Sequence, residues 1–224
     1  MPATWSEQKI YIGKINHLGS ENLVKEILAD KTNQDFRRTL ARLVERVREE
    51  NRVLAFDDAS TIPQIAWASR NLAELRILAR FVCRSQANLE RFNNDIFTTG
   101  PGTLESLLQL SNNIAKEAGS PMRASPHQYR RAARMKQARV EAGLGKESPL
   151  MAGMLAARVG LEKEYQFLSR VTSPLIHPSA ISVLRTFDLE SYRQSLTILG
   201  LKLVTDVILD ARSHIGKHGF RPEK

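Results

Sequence analysis

Apolar residues recur three and four positions apart through most of this 224-residue chain, and the alternation typical of strands is nearly absent. The longest such segment runs from Ser60 to Asn93 and opens with a hydroxyl cap and Pro63 in the first turn. It carries one apolar stripe through Leu72 and a second through Trp67, which is typical of a helix packed by several neighbours. We therefore predict an all-α fold, a helical bundle with several long antiparallel members.

Capping and breaking residues divide the remaining chain into further helices. We predict helices over residues 21–29, 33–51, 103–118, 150–172 and 188–215. The run Gly100-Pro101-Gly102 predicts a connection, and Pro174 predicts the end of the helix that precedes it, because proline blocks continued helical hydrogen bonding. The length is compatible with a single helical domain over residues 1–224.

One segment of the chain carries basic residues without any acidic one. Lysine and arginine exceed the acidic residues by 33 to 24, for a formal net charge of +9, and such a surplus favours nucleic acid as a partner. Between Pro121 and Val140 there is no acidic residue, and flanking glycines and prolines indicate a mobile basic insertion over 119–149. The predicted phosphate-binding residues are Arg123, Arg130, Arg131, Arg134, Lys136 and Arg139. The alternative is a solvated excursion between core helices.

Cysteine usage and the N-terminus bear on the cellular setting. Cys83 is the only cysteine, which excludes an intramolecular disulfide, and the first residues lack the pattern of a signal peptide. We expect a cytoplasmic protein that does not enter a membrane. His214 and His218 stand four positions apart near glycines, and we interpret them as a tail rather than a metal site, so the prediction includes no metal and no cofactor.

The candidate site lies where a helix meets a histidine between two prolines, in the segment 165–179. Tyr165, Ser169 and Thr172 share one side of the predicted helix, and Arg170 flanks them. His177 follows in a connection that Pro174 and Pro178 restrict. An imidazole can move protons near neutral pH, and a guanidinium can neutralise phosphoryl oxygens, so the pair suits phosphodiester cleavage without a metal. The alternative is a structural hydrogen-bond network that also includes Arg70 and Glu74.

Three pieces of the sequence resemble a known family. Arg70-Asn-Leu-Ala-Glu74, Glu162-Lys-Glu-Tyr165-Gln-Phe-Leu-Ser169 and His177-Pro-Ser179 are similar to a widespread family of uncharacterised bacterial helical proteins with an Arg-x3-Glu helix and a Tyr-x2-Leu-Ser…His-Pro-Ser/Thr signature. Arg170-x6-His177 more distantly resembles the Arg-x4–6-His motif of the HEPN superfamily, although Val171 stands where that motif usually has a polar residue. HEPN proteins are all-α dimers that include metal-independent ribonucleases of toxin and phage-defence systems.

The resemblance implies a homodimer that binds RNA in preference to DNA, with His177 and Arg170 as catalytic residues. The supporting residues would be Tyr165, Ser169, Ser179, Arg70 and Glu74. We thus expect a HEPN-like nucleic-acid-binding protein that could be a metal-independent endoribonuclease of a bacterial stress or defence system. One alternative is a non-enzymatic helical interaction protein with a protein partner, in which the His177 cluster is structural. A third class is a small-ligand or nucleotide-binding bundle that uses Arg70, Glu74 and His177.

Overall fold

The computed structural model of the protein describes residues 4–119, 125–141, 143, 149–177 and 189–217. These residues form helices and no strand, which confirms the predicted all-α class. They fall into two compact units, one made of residues 1–89 and 152–224 and the other of residues 90–151. The helices are α1 (Trp5–Ala29), α2 (Gln34–Ala55), α3 (Ile62–Val82), α4 (Gln86–Glu117), α5 (Pro126–Glu141), α6 (Ala152–Arg158), α7 (Glu162–Ile176) and α8 (Leu189–Lys217).

Helix α3 is the centre of the first unit. It packs against α2, α6, α7 and α8, while α1 packs against α2 and α8. Leu72 is fully buried on α3. Ser69 on the same helix donates its hydroxyl to the Leu196 carbonyl at 3.1 Å, so a polar contact joins α3 to α8. The prediction of a second packed stripe is wrong at Trp67, which is 54% exposed.

Glycines allow the long helices to approach closely. A Cβ atom added at Gly13 would lie 2.2 Å from the Cβ of Ala55, so α1 and α2 are in backbone contact there. Asn51 strengthens this crossing by donating its amide to the Gly13 carbonyl at 3.0 Å. At Gly200 an added Cβ would lie 2.5 Å from a methyl group of Leu54. These close contacts determine the spacing of α1, α2 and α8.

An ionic network fastens α7 and α8 to α3. Arg76 lies 2.7 Å from Glu164, 3.0 Å from Asp206 and 2.8 Å from Asp210. Burial raises the pKa of Asp210, but hydrogen bonds from Arg80 and Arg76 outweigh burial and hold the pKa below its ordinary value. Each cation and carboxylate therefore has a partner of opposite charge, which is what a half-buried ion pair requires.

Several predicted helix boundaries are wrong. Helix α1 starts at Trp5 rather than near residue 21, because Thr4 and Glu7 form a reciprocal capping box. Helix α3 ends at Val82 rather than near residue 93, and the Ser85 hydroxyl accepts a hydrogen bond from the Asn88 backbone amide at the start of α4. Both caps are local signals.

The predicted helix over 150–172 is in fact two helices, α6 and α7. Gly160 adopts φ +73°, and the amides of Gly160 and Leu161 bond to the carbonyls of Ala157 and Ala156 at 3.3 and 2.8 Å. This is the Schellman arrangement, which ends a helix at a glycine.

The two prolines that predicted breaks lie inside helices. Helix α4 continues through Pro101, and α7 continues through Pro174 to Ile176. Leu175 is buried in the first unit, so continuing α7 past the proline keeps this side chain in the core. His177 then ends the helix with an extended backbone, and its amide donates to the Ser173 carbonyl at 3.1 Å.

The second unit contains an antiparallel pair of helices, α4 beyond residue 89 and α5. Lys136 on α5 contacts Glu105 on α4 at 2.5 Å, and the Asn112 amide donates to the Tyr129 hydroxyl. The two contact residues of α4 are seven positions apart, and their partners on α5 are seven positions apart in the reverse order, so the two helices run antiparallel. The basic segment predicted at 119–149 falls within this unit, and its mobility stays a prediction. None of the described helices combines the length and apolar character needed to cross a membrane.

Candidate functional site

A polar cluster connects α3 with α7. Arg70 donates from Nε to Glu74 at 3.2 Å and from a terminal nitrogen to the Ser173 hydroxyl at 3.3 Å. The Tyr165 hydroxyl donates to the same Glu74 oxygen at 3.0 Å. The structure thus brings together three of the residues predicted to support the site, and adds Ser173 to them.

The charges of this cluster are largely matched. Partial burial lowers the pKa of Arg70, but hydrogen bonds with Glu74 and Tyr165 outweigh burial and raise the pKa above its ordinary value. The Glu74 carboxylate accepts from both a guanidinium and a phenol, so its negative charge is already compensated. The cluster is therefore suited to holding α7 against α3, and Arg70 would remain a cation under all ordinary conditions.

Arg170 on α7 and His177 at the C-terminal cap of α7 lie on one side of the helix. Each residue of a helix adds about 100° of rotation, so positions seven apart lie within about 20° of each other and about 10 Å apart along the axis. The His177 amide still bonds to the Ser173 carbonyl, so its backbone nitrogen follows the helical path. Both side chains are exposed, and Ser173, which Arg70 contacts, lies between them in sequence.

The other hydroxyls of the predicted site have separate roles. Thr172 is fully buried and donates to the Leu168 carbonyl at 2.8 Å, which is a bond within its own helix. The Ser169 hydroxyl oxygen is buried and has no hydrogen-bond partner among the described residues. Ser179 lies outside the described residues. The predicted stripe of Tyr165, Ser169 and Thr172 therefore does not act as one unit.

A second candidate surface lies on α5. His127, Arg130, Arg131 and Arg134 line a shallow cavity of about 470 Å³. Their spacing places the four side chains within about 100° of the helix circumference. All four are exposed, and none forms an ion pair with a carboxylate in the described part of the chain. We name these four residues the α5 basic face.

The other predicted phosphate-binding residues do not join the α5 basic face. Lys136 lies on the opposite side of α5, where it contacts Glu105. Arg139 is half-buried and makes further interactions. Arg123 lies outside the described residues. Ala132, on the side of α5 that carries Lys136, is buried, so the α5 basic face is directed away from the packed side of its helix.

Two residues of these surfaces were absent from the sequence prediction. Ser173 follows Thr172 directly, and its spacing of eight positions from Tyr165 places it about 80° from Tyr165 around the helix. His127 stands three positions before Arg130, and its helical spacing to the arginines was a usable signal.

Metal-binding residues do not assemble in the described part of the chain. No three histidine, cysteine or acidic side chains lie close enough together there to hold an ion. His214 is half-buried and makes further interactions, whereas His218 lies outside the described residues. Burial raises the pKa of the Cys83 thiol to about 12, with a smaller contribution from Asp210, so this cysteine is a packing residue and a poor nucleophile.

Comparison with known proteins found no match. No family model, no curated protein and no solved structure matches this chain.

Proposed function

We propose that this protein binds RNA through the α5 basic face, as part of a HEPN-like activity in a bacterial stress or defence system. The observation that carries the proposal is the alignment of three exposed arginines and a histidine on one side of α5, with no carboxylate of the described residues paired to them. Such a row offers several charge-assisted hydrogen bonds to phosphate oxygens. The formal net charge of +9 also favours association with a polyanion.

We further propose that Arg170 and His177 cleave the bound RNA without a metal ion. Their shared side of α7 and their exposure support this step. His177 would remove the proton of a ribose 2′-hydroxyl, and the 2′-oxygen would bond to the adjacent phosphorus as the bond from phosphorus to the 5′-oxygen breaks. The 5′-oxygen would take a proton from water, and His177 would return its proton to the solvent. Arg170 would stabilise the negative charge on the phosphoryl oxygens. Arg70 would position α7 through Ser173 and remain outside the reaction.

Binding is tested by titrating a labelled single-stranded RNA between about 50 and 200 mM salt. We expect affinity to fall with salt, and the triple variant R130Q/R131Q/R134Q to reduce the slope of log affinity against log salt by about 2, since each lost phosphate contact removes about 0.7. The matched control K31Q/R38Q/R42Q removes the same charge from exposed positions of the first unit and should change the slope much less. Equal slopes for the two triple variants would reject the α5 basic face as the binding surface.

Cleavage is tested in EDTA with the same RNA. We expect the wild-type protein to cleave it, and His177→Ala and Arg170→Ala to bind normally but cleave at least about 100-fold more slowly, the typical contribution of a proton-transfer residue. Unchanged cleavage in both variants rejects the catalytic assignment while leaving the binding proposal intact. Sedimentation of the same preparations tests the homodimer that the HEPN resemblance implies.

The contacts of Arg70 favour a second candidate function, a non-enzymatic helical interaction protein. In that case Arg70, Glu74, Tyr165 and Ser173 serve only to join α3 to α7, as their direct hydrogen bonds would allow. The expected signature is a clear loss of melting temperature in Tyr165→Phe together with no RNA binding by the wild-type protein. RNA binding with the salt slope described above argues against this candidate.

A further inference from the structure

A groove between α1 and α2 in the first unit has the features of a docking surface. Its volume is about 810 Å³. Among the described residues, none of those predicted to bind or cleave RNA lines it. The groove is lined by Lys14, His17 and Leu18 from α1 and by Arg52, Val53 and Phe56 from α2 and its end.

Two apolar side chains in the walls of the groove are open to solvent. Leu18 is 58% exposed and Phe56 is 43% exposed. Beside the groove on α1, Ile15 and Tyr11 are 51% and 66% exposed and precede Leu18 by three and seven positions, so the three side chains form an apolar strip on one side of the helix. His17 meets the Phe56 ring edge-on, with centroids 6.4 Å apart and planes at 84°, so the aromatic wall is held in position. A contiguous apolar strip of this kind marks an interaction site.

The rim of the groove is cationic. Lys14 and Arg52 are exposed, and neither forms an ion pair with a carboxylate of the described chain. The one carboxylate among the lining residues, Asp57, accepts from the Ala59 amide at 3.1 Å and from the Ser60 hydroxyl at 2.7 Å, and its negative charge leaves the lining with a net charge of +1. The groove therefore offers two cations beside an apolar strip, and neither cation pairs with a carboxylate of the described residues.

The dimensions and charge select one class of occupant. A small-molecule site encloses most of its ligand, whereas here the wall residues themselves remain largely open to solvent. From Tyr11 to Leu18 the strip extends about 10 Å along α1, which matches about two turns of a docked helix. A second copy of the chain is disfavoured, because each copy has a net charge of +9 and the groove is itself cationic.

We propose that the α1–α2 groove binds an acidic amphipathic helix of a partner protein. The apolar side of that helix would cover Leu18 and Phe56, and acidic residues along its edges would pair with Lys14 and Arg52. This interaction is separate from RNA binding, because no residue of the groove belongs to α5 or to the segment around His177.

The test uses a designed peptide of about 18 residues with leucines at helical spacing and glutamates elsewhere. Binding is measured by fluorescence anisotropy with the full-length protein. We expect Leu18→Asp to weaken binding by at least about tenfold, since it places a charge on the apolar strip. Leu209→Asp on α8 is the matched control, because Leu209 is 57% exposed and lies outside the groove. It should bind as the wild-type protein does.

Charge reversal supplies a gain of function that a folding defect cannot imitate. The double variant K14E/R52E should bind the acidic peptide about tenfold more weakly, and should bind a peptide with lysine in place of glutamate more tightly than the wild-type protein does. Three results would overturn the proposal: equal binding of a scrambled peptide that lacks the apolar side, equal losses in Leu18→Asp and Leu209→Asp, or binding of anionic lipid vesicles without binding of the acidic helix.

Discussion

The contact between α1 and α2 at Gly13 makes a sharp test of the fold. An alanine at this position would place its Cβ 2.2 Å from the Cβ of Ala55, whereas carbon atoms in contact prefer about 3.5–4.0 Å. The two helices would have to separate by more than an ångström, which weakens the neighbouring hydrogen bond from Asn51 to the Gly13 carbonyl. Overpacking of this kind costs about 1–3 kcal/mol, and the better helix propensity of alanine returns about 1 kcal/mol at most.

A second glycine of the same helix provides the matched control. A Cβ added at Gly19 lies 3.6 Å from the nearest atom, a methyl group of Ile208, which is an ordinary contact. Gly19→Ala should therefore stabilise the protein by up to about 1 kcal/mol through helix propensity alone. We expect Gly13→Ala to be less stable than the wild type and Gly19→Ala to be more stable, with midpoints that differ by several degrees.

The assay is thermal or urea unfolding followed by tryptophan fluorescence. Both tryptophans, Trp5 and Trp67, belong to the first unit, so the signal reports the unit that contains the mutated contact. Adding Ala55→Gly to Gly13→Ala removes the clashing atom, and a double-mutant cycle should show a favourable coupling between the two positions. A Gly13→Ala protein as stable as Gly19→Ala, or the absence of that coupling, would refute the close approach of α1 and α2.

Two further changes probe the buried charges of the first unit. Arg76→Ala removes a side chain that is 11% exposed and leaves its three carboxylate partners without it, so it should lower the free energy of unfolding by about 3–5 kcal/mol. The exposed control Arg42→Ala should change the free energy of unfolding by less than about 0.5 kcal/mol. Similar melting curves for the two variants would contradict the network. Burial raises the pKa of the Glu50 carboxyl above 4.5, although hydrogen bonds and charge from Asn71 and Arg46 act in the opposite direction. The folded state therefore binds the carboxyl proton more tightly than the unfolded state does. The wild type should lose stability as the pH rises through the window above 4.5. Glu50→Gln should remove this loss, and a difference between the two proteins that does not grow with pH would count against the assignment.

Local sequence signals determine many of the helix boundaries, and they also led to some of the wrong predictions. The capping box at Thr4 and the glycine stop at Gly160 depend only on neighbouring residues, so the start of α1 and the break between α6 and α7 are predictable from the sequence. The prolines at 101 and 174 are different, because the local rule predicts breaks that the helices do not have. At Pro174, burial of Leu175 in the core accompanies the continued helix.

The two candidate sites differ in how far they can be predicted from the sequence. The α5 basic face follows from helical spacing alone once the segment is known to be a helix, so its arginines could be predicted, and Lys136 could have been excluded by its position on the opposite side. The contact between Arg70 and Ser173 joins positions 103 residues apart in the chain, and no local pattern specifies it. It arises only when α3 and α7 pack together.

The sequence by itself determined the all-helical class, the absence of acidic residues from the basic segment between Pro121 and Val140, and the spacing of seven positions between Arg170 and His177. Periodicity and spacing within a single helix carry this information, because neighbours three, four and seven positions apart lie on one side of it. The tertiary structure decided which side chains meet across helices, from the cluster around Arg70 to the groove between α1 and α2. Those contacts depend on how closely the helices approach, and that distance is determined by pairs such as Gly13 and Ala55, which are far apart in the chain.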